Sequence, residues 1–97
     1  MSVVVNFAWD ANPPGDNVTA YFLHRSTISG NYTDPGINMG TNLIGSDTIT
    51  VSNTYFWTLT AQNANGISPL SNEITEFVDV SIQTLGLGRS LRGFVYA

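Results

Sequence analysis

Apolar and polar residues alternate along several short stretches of the chain, the period-two pattern of strands that are buried on one face. The alternation is clearest over residues 3–9 and 55–61, and residues 18–27 are rich in β-forming side chains. Shorter β-forming stretches occur at residues 48–51 and 70–80. No stretch has the period of an amphipathic helix, so the pattern predicts an all-β protein.

Turn-forming residues separate these stretches. Residues 10–17 contain two prolines, a glycine and four Asp or Asn residues, which indicates a loop. Asp34-Pro35-Gly36 interrupts an irregular connection over residues 31–45, and residues 63–66 form a tight turn. Short strands with frequent turns are typical of a β-sandwich.

The composition narrows the classes of function. The 97 residues are enough for one domain with one modest core. The chain has no lysine, three arginines and a net charge of −4, which argues against nucleic acid as a partner. It has no cysteine, so disulfides and thiol chemistry are excluded. No run of apolar residues is long enough to cross a membrane, and we expect no membrane partner.

Residues 55–74, which read YFWTLTAQNANGISPLSNEI, resemble the end of a fibronectin type III domain. That family ends with a tyrosine strand, an alanine, an asparagine, a glycine turn and a Ser-Pro-Leu-Ser strand start. Trp9 matches the family's core tryptophan, and Val18, Tyr21 and Leu23 match its third strand. The resemblance covers roughly residues 3–78 and implies a Greek-key β-sandwich of the fibronectin type III kind.

The resemblance and the alternation together predict the core. Trp9 is a large apolar filler between two sheets, and Tyr55 would pack inward while its hydroxyl binds backbone near the preceding turn. Gly66 suits the positive φ of a short turn, and Pro69 suits a strand start or an edge. The expected core residues are Trp9, Tyr21, Leu23, Tyr55, Trp57 and Leu59.

The chain departs from the family at both ends. Only Met1 and Ser2 precede Val3, so the family's first strand, strand A, is missing or replaced. Residues 81–97 follow the last expected strand and are too apolar for a solvated tail. We therefore expect a sandwich over residues 1–80 and an extended C-terminal arm over residues 81–97.

The two departures suggest one interaction. Without strand A the tryptophan strand has a free edge, which invites the addition of a strand from elsewhere. We expect the arm to dock on a neighbouring copy or another protein rather than to fill its own edge, because an arm that doubles back would run opposite to strand A. The arm's interface candidates are Leu85, Leu87, Arg89, Leu91, Arg92, Phe94, Val95 and Tyr96. The two arginines pair with an acidic surface or simply keep the arm soluble.

Two aromatic residues are further interface candidates. Phe22 and Phe56 should point away from the core if Tyr21 and Tyr55 point inward. Their strands are neighbours in the resembled fold, so together they would form an exposed apolar patch, which often marks an interface. The alternative is ordinary exposure or cover by a loop.

No residue pattern indicates catalysis, a metal or a cofactor. The single histidine, His24, is expected on the surface without a catalytic partner. Asp10, Asn12 and Asp16 share one loop, but their spacing does not match an EF-hand, so we favour a turn stabilised by Asp and Asn over a calcium site. The 63–66 turn lies where family members often bind partners, and we read it as a plain turn.

These observations favour a non-enzymatic structural or interaction protein. We expect a decoration, cement or tail-associated subunit of a virion-like assembly such as a bacteriophage, which binds capsid or tail proteins or copies of itself. The alternative is a spacer or carbohydrate-surface-binding module of a secreted bacterial protein. The start of the chain has no signal-peptide pattern, so we expect a virion or another extracellular assembly as the location, with secretion as the alternative. We discount the glycosylation patterns at Asn17 and Asn31 for the same reason.

Overall fold

Strands form the regular structure of residues 2–81 and 92–93, the part of the chain that the computed structural model describes. This part contains no α-helix, only one turn of 3₁₀ helix at Pro14–Asp16. The strands are β1 (Val3–Trp9), β2 (Ala20–Ser26), β3 (Ile37–Asn38), β4 (Ile44–Ile49), β5 (Asn53–Asn63), β6 (Gly66–Ile67), β7 (Ile74–Val78) and β8 (Arg92–Gly93). The all-β prediction is confirmed.

The strands form two sheets. The small sheet has the order β4-β1-β8, and the large sheet has the order β3-β2-β5-β6, with β7 also paired to β5. All pairs are antiparallel except that between β1 and β8. The chain changes sheet after β1, after β3, after β4 and after β7, so strands distant in sequence lie side by side.

The core lies between the inner faces of the two sheets. All six residues expected there are buried, and Trp57 has no exposed surface. Its ring lies 5.1 Å from that of Phe7 between centroids, in a tilted arrangement that joins the two sheets. Five further apolar residues of the same cluster are buried, namely Val5, Phe7, Ile49, Ala61 and Val78.

Tyr55 begins the inward-facing row of β5 and ties this strand to the corner that precedes it. Its ring is buried, and its hydroxyl donates a hydrogen bond to the carbonyl oxygen of Val51, four residues upstream. The bond fixes the turn between β4 and β5, because it satisfies a carbonyl that neither strand uses.

The buried carboxylate of Asp47 bridges the two sheets through hydrogen bonds. Asp47 of β4 points inward and is almost fully buried. It accepts hydrogen bonds from the Trp57 indole N–H at 2.9 Å and from the Arg25 guanidinium at 3.1 Å to both oxygens. The guanidinium also lies over the Tyr55 ring, 5.5 Å from its centroid. A charge can be buried at this position because both carboxylate oxygens have donors.

The strand before β5 begins earlier than the sequence predicted. We expected a strand over residues 48–51, within an otherwise irregular approach, but β4 runs from Ile44 to Ile49 and the short strand β3 precedes it. Two inward positions of β4 are occupied by Gly45 and Asp47 rather than by apolar side chains. The sequence of β4 therefore lacks the apolar–polar alternation by which a strand is recognised. Position 45 has no room for a side chain, because Met39 and Trp9 pack against it. A Cβ at this position would lie 2.8 Å from the Met39 sulfur.

The last predicted strand, residues 70–80, is shorter than expected: β7 runs from Ile74 to Val78, and a separate short strand, β6, precedes the predicted range. Pairing with β5 is divided between β6 and β7, and the intervening residues form no strand. There the hydroxyls of Ser68 and Ser71 accept hydrogen bonds from the backbone N–H groups of Ala61 and Leu59. The serine side chains therefore supply acceptors that a regular strand would supply from its backbone.

Candidate functional site

The edge of β1 opposite β4 is the first candidate surface. Arg92 and Gly93 pair there with Ala8 and Trp9, in parallel and within the same chain. These two residues thus lie on the edge of their own chain rather than on a neighbour's, while docking of the arm on another chain remains a prediction. The orientation explains the difference: the returning arm does run opposite to the expected strand A, but parallel pairing with β1 accommodates that direction.

The pairing seen at this edge is short. It uses two residues at the end of β1, whereas β1 is paired with β4 from Val3 to Ala8. The other proposed arm residues, Leu85, Leu87, Arg89, Leu91, Phe94, Val95 and Tyr96, lie outside the described residues. Of Arg92 the structure describes the strand pairing alone.

The outer face of the large sheet is the second candidate surface. Phe22 and Phe56 both point to this face and are half-buried. They do not form one patch, because Phe22 pairs with Thr60 whereas Phe56 pairs with Ser26. The two positions are four residues apart along β2, or roughly 13 Å.

Phe77 is a member of this face that the sequence analysis missed. It lies on β7 with 61% of its surface exposed, opposite Thr54, while Phe56 lies opposite Thr75. The two phenylalanines are thus diagonal neighbours on adjacent strands, within reach of aromatic side chains. The alternation of residues 74–78 could have predicted the exposure of Phe77, because it places Ile74, Glu76 and Val78 inward and Phe77 outward.

His24 lies on the same face but is not exposed as predicted. It is 8% exposed, and its Nε2 lies 2.9 Å from the Thr60 hydroxyl. The connection between β2 and β3 covers it: Gly36 packs against the imidazole, and Asp34 Oδ1 lies 3.6 Å from Nδ1. The sequence could not predict this cover, since it depends on how a long loop folds back.

One carboxylate holds that loop in place. Glu73, just before β7, accepts hydrogen bonds from the Ser29 hydroxyl, from the Gly30 N–H at 2.8 Å and from the Tyr32 hydroxyl at 2.7 Å. The bond from Ser29, followed by those from Tyr32 and Gly30, lowers the pKa of Glu73. Burial, the hydrogen bond to Glu73 and nearby negative charge raise the pKa of the Tyr32 hydroxyl. Glu73 thus fastens the 29–32 segment to the large sheet.

The loop with Asp10, Asn12 and Asp16 is held by hydrogen bonds. The Asn12 side-chain N–H donates to Asp16 Oδ2 at 3.2 Å, and the Asn12 backbone N–H donates to the Tyr21 hydroxyl at 3.0 Å. The side chain of Asn63 donates to the carbonyl of Asp16 at 2.9 Å, which joins this loop to the 63–66 turn. Within residues 2–81 no three His, Cys, Asp or Glu side chains converge as metal ligands would.

No protein-family model matches the sequence, and comparison with curated proteins and with solved structures gives no match. Among the described residues there is no helix long and apolar enough to cross a membrane. The fold and the two surfaces therefore carry the functional inference.

Proposed function

We propose that the protein is a non-catalytic structural subunit, a decoration, cement or tail-associated protein of a virion-like assembly, which attaches through its C-terminal arm. The observation that carries this proposal is the pairing of Arg92 and Gly93 with the open edge of β1. Strand addition uses backbone groups, so the same edge accepts the arm of a neighbouring copy in the same register. Phe94, Val95 and Tyr96 follow directly in the sequence and are strong strand formers.

The finer fold assignment supports this proposal. We assign the sandwich to the fibronectin type III kind, with β1 as the tryptophan strand. The hydrogen bond from Tyr55 to the Val51 carbonyl has the geometry of a tyrosine corner, and the order β4-β1 facing β3-β2-β5 fits a Greek key. In such a sandwich the edge of β1 is the position that strand A would fill, which gives the arm its docking site.

Three polar side chains capable of chemistry, Asp47, Glu73 and His24, have structural partners, which favours a binding role over catalysis. Asp47 binds Arg25 and Trp57, and Glu73 binds the 29–32 segment. His24 lies beneath a loop against Thr60. A catalytic group must reach a substrate, and these side chains are occupied in holding the fold.

Solution mass tests the attachment through the arm. Light scattering of the dilute full chain is expected to give a defined oligomer, and a variant that ends at Val80 is expected to be monomeric. A matched full-length variant in which Phe94, Val95 and Tyr96 are replaced by Ser keeps the length of the arm, and we expect it to be monomeric as well. If all three proteins are monomers and the shortened one is only less stable, the arm merely completes its own sandwich and the proposal fails.

A carbohydrate-surface-binding module is the second candidate, favoured by one observation. Phe56 and Phe77 present neighbouring aromatic rings on the outer face of the large sheet, and aromatic faces can stack on sugars. Retention on polysaccharide columns that is lost in Phe77→Ala would support this candidate. Equal elution of Phe77→Ala and the natural chain would exclude the carbohydrate-binding candidate.

A further inference from the structure

The edge of β4 that faces away from β1 pairs with no strand among the described residues. The Trp9 N–H donates to the Leu43 carbonyl at 3.0 Å, which fixes the alternation of the antiparallel ladder between β1 and β4. The bonded positions of β4 are then Gly45, Asp47 and Ile49. The N–H and C=O groups of Ile44, Ser46 and Thr48 point away from β1, towards the side where no described strand lies.

This edge lacks several of the devices that normally prevent strand addition, although the inward-pointing Asp47 is one of them. Edge strands are protected by proline, lysine or bulges, and β4 has no proline or lysine and an uninterrupted register with β1. Its outward side chains, Ile44, Ser46 and Thr48, are uncharged and exposed, and Ile44 is 69% exposed. Its one charged residue, Asp47, points inward and is bound by Arg25 and Trp57.

We propose that two copies of this chain pair antiparallel through their β4 strands, around a two-fold axis at Ser46. This register places Ser46 opposite Ser46 of the second copy, and Ile44 opposite Thr48. It pairs the outward backbone groups of all three residues, and it joins the two small sheets into one continuous sheet. The contact does not depend on the arm, so it stands apart from the proposed attachment.

Charge selects this register over its neighbours. A shift of one residue in the axis, to position 47, would bring the Asp47 carboxylates of two acidic chains directly opposite each other, which is destabilising. A shift to position 45 leaves Thr48 beyond the end of the paired segment. With the axis at Ser46, Asp47 lies opposite Gly45, so the two Asp47 carboxylates are diagonal rather than opposite, and each is paired with its own Arg25.

The size of the contact predicts weak association. A six-residue strand edge buries less than the roughly 800 Å² per partner of an ordinary stable interface. The dimer should therefore appear at high protein concentration, or where many copies are held together on one particle.

Cysteine substitution tests the register, because the full-length chain has no cysteine of its own. In Ser46→Cys the two thiols face each other across the axis, with Cα atoms about 5.5 Å apart, a separation that a disulfide can bridge. In the matched control Thr48→Cys the two thiols are separated by four strand positions, roughly 13 Å, which no disulfide spans. Both residues are exposed on the same face of β4.

Concentrated protein is oxidised mildly and examined on a non-reducing gel. We expect covalent dimer for Ser46→Cys and monomer for Thr48→Cys. Equal dimer formation by the two variants, or monomer for both, would overturn the proposal. Light scattering at high concentration gives a second measurement, in the full-length variant whose Phe94, Val95 and Tyr96 are replaced by Ser so that the arm does not contribute. In this background Ser46→Lys places two cations at the axis and should abolish the remaining association. Persistence of the dimer in Ser46→Lys would also overturn the proposal, whereas the result with the arm variants leaves it unaffected.

Discussion

Single residues at the centre of this sandwich have to satisfy polar as well as apolar neighbours. Trp57 has a fully buried ring, and its indole N–H has an acceptor because Asp47 points inward from the opposite sheet. A lone carboxylate at an inward strand position would be costly, but Arg25 supplies a second set of donors. The side chain of Arg25 is 42% exposed, so solvent screens its charge and the Trp57 bond carries more of the pairing.

Replacement of Asp47 tests this arrangement. Asp47→Ala leaves the Trp57 N–H buried without an acceptor, and we expect the free energy of unfolding to fall by about 1–3 kcal/mol. Asp47→Asn keeps an acceptor for the indole and should lose less. Thr48→Ala, on the exposed side of the same strand, should change stability by less than about 0.5 kcal/mol. Urea unfolding followed by tryptophan fluorescence measures all three, and equal stability of Asp47→Ala and the natural chain would contradict the argument.

Substitution of two glycines in the β2–β3 connection separates the cost of backbone strain from the cost of a steric clash. Gly30 and Gly36 have φ angles of +75° and +85°, but only Gly36 contacts the His24 ring, where a Cβ would lie 2.8 Å from Cε1. Gly30→Ala should cost about 1–2 kcal/mol of stability for the left-handed backbone. Gly36→Ala should cost about 1–3 kcal/mol more, because the added methyl group displaces the imidazole. Equal losses in thermal unfolding would show that His24 yields freely.

Among the elements, the segment between β6 and β7 shows how side-chain hydroxyls can take the place of the backbone hydrogen bonds of a regular strand pair. Pro69 lacks an N–H, and the segment between β6 and β7 leaves the regular pairing. The hydroxyls of Ser68 and Ser71 then accept the N–H groups of Ala61 and Leu59, while the Ser71 N–H donates to the Leu59 carbonyl at 2.8 Å. An interruption of this kind blunts the outer edge of the large sheet against strand addition.

Removal of one of these hydroxyls measures its contribution. Ser71→Ala leaves the Leu59 N–H without its acceptor, so we expect a loss of about 1–3 kcal/mol in the free energy of unfolding. Ser71→Thr retains a hydroxyl and should restore most of it. Hydrogen exchange should also show faster exchange at the Leu59 amide in Ser71→Ala alone. An unchanged Leu59 amide would mean that the serine is not its acceptor in solution.

At the scale of the whole molecule, stability at low pH depends on a surface carboxylate. Three donors to Glu73 lower its pKa from the ordinary value of 4.5. The folded state therefore gains stability from ionised Glu73 above that value, and loses this gain as the pH falls through the lowered pKa. Because Glu73 joins the β2–β3 connection to the start of β7, its protonation should release the loop that covers His24.

Comparison with Glu73→Gln isolates this effect. At neutral pH the natural chain should be the more stable of the two, and the difference should disappear as the pH falls below the folded-state pKa of Glu73. Urea midpoints across the acidic range measure it. Asp79, whose pKa the Ser81 hydroxyl lowers, contributes equally to both proteins and cancels. Parallel pH profiles would show that Glu73 does not fasten the loop.

The strands and the core could be predicted from the sequence because their signals are local. Alternation in residues 3–9 places Trp9 on the buried face of its strand, and alternation in residues 55–61 places Tyr55 and Trp57 together on the buried face of theirs. Tyr21 and Leu23 follow for the same reason. A period-two pattern determines which face of a strand is buried, because the backbone geometry of a strand leaves no other choice.

Pairing across the fold decided the rest. The cover over His24, the inward turn of Asp47 and the interruption near Pro69 each depend on residues that are distant in sequence. The parallel docking of Arg92 on β1 likewise depends on which sheet edge remains open. By itself the sequence determined that this protein is all-β and which side chains form its core. The tertiary structure alone decided which edges and faces remain available to partners, because those surfaces arise only when separate strands meet.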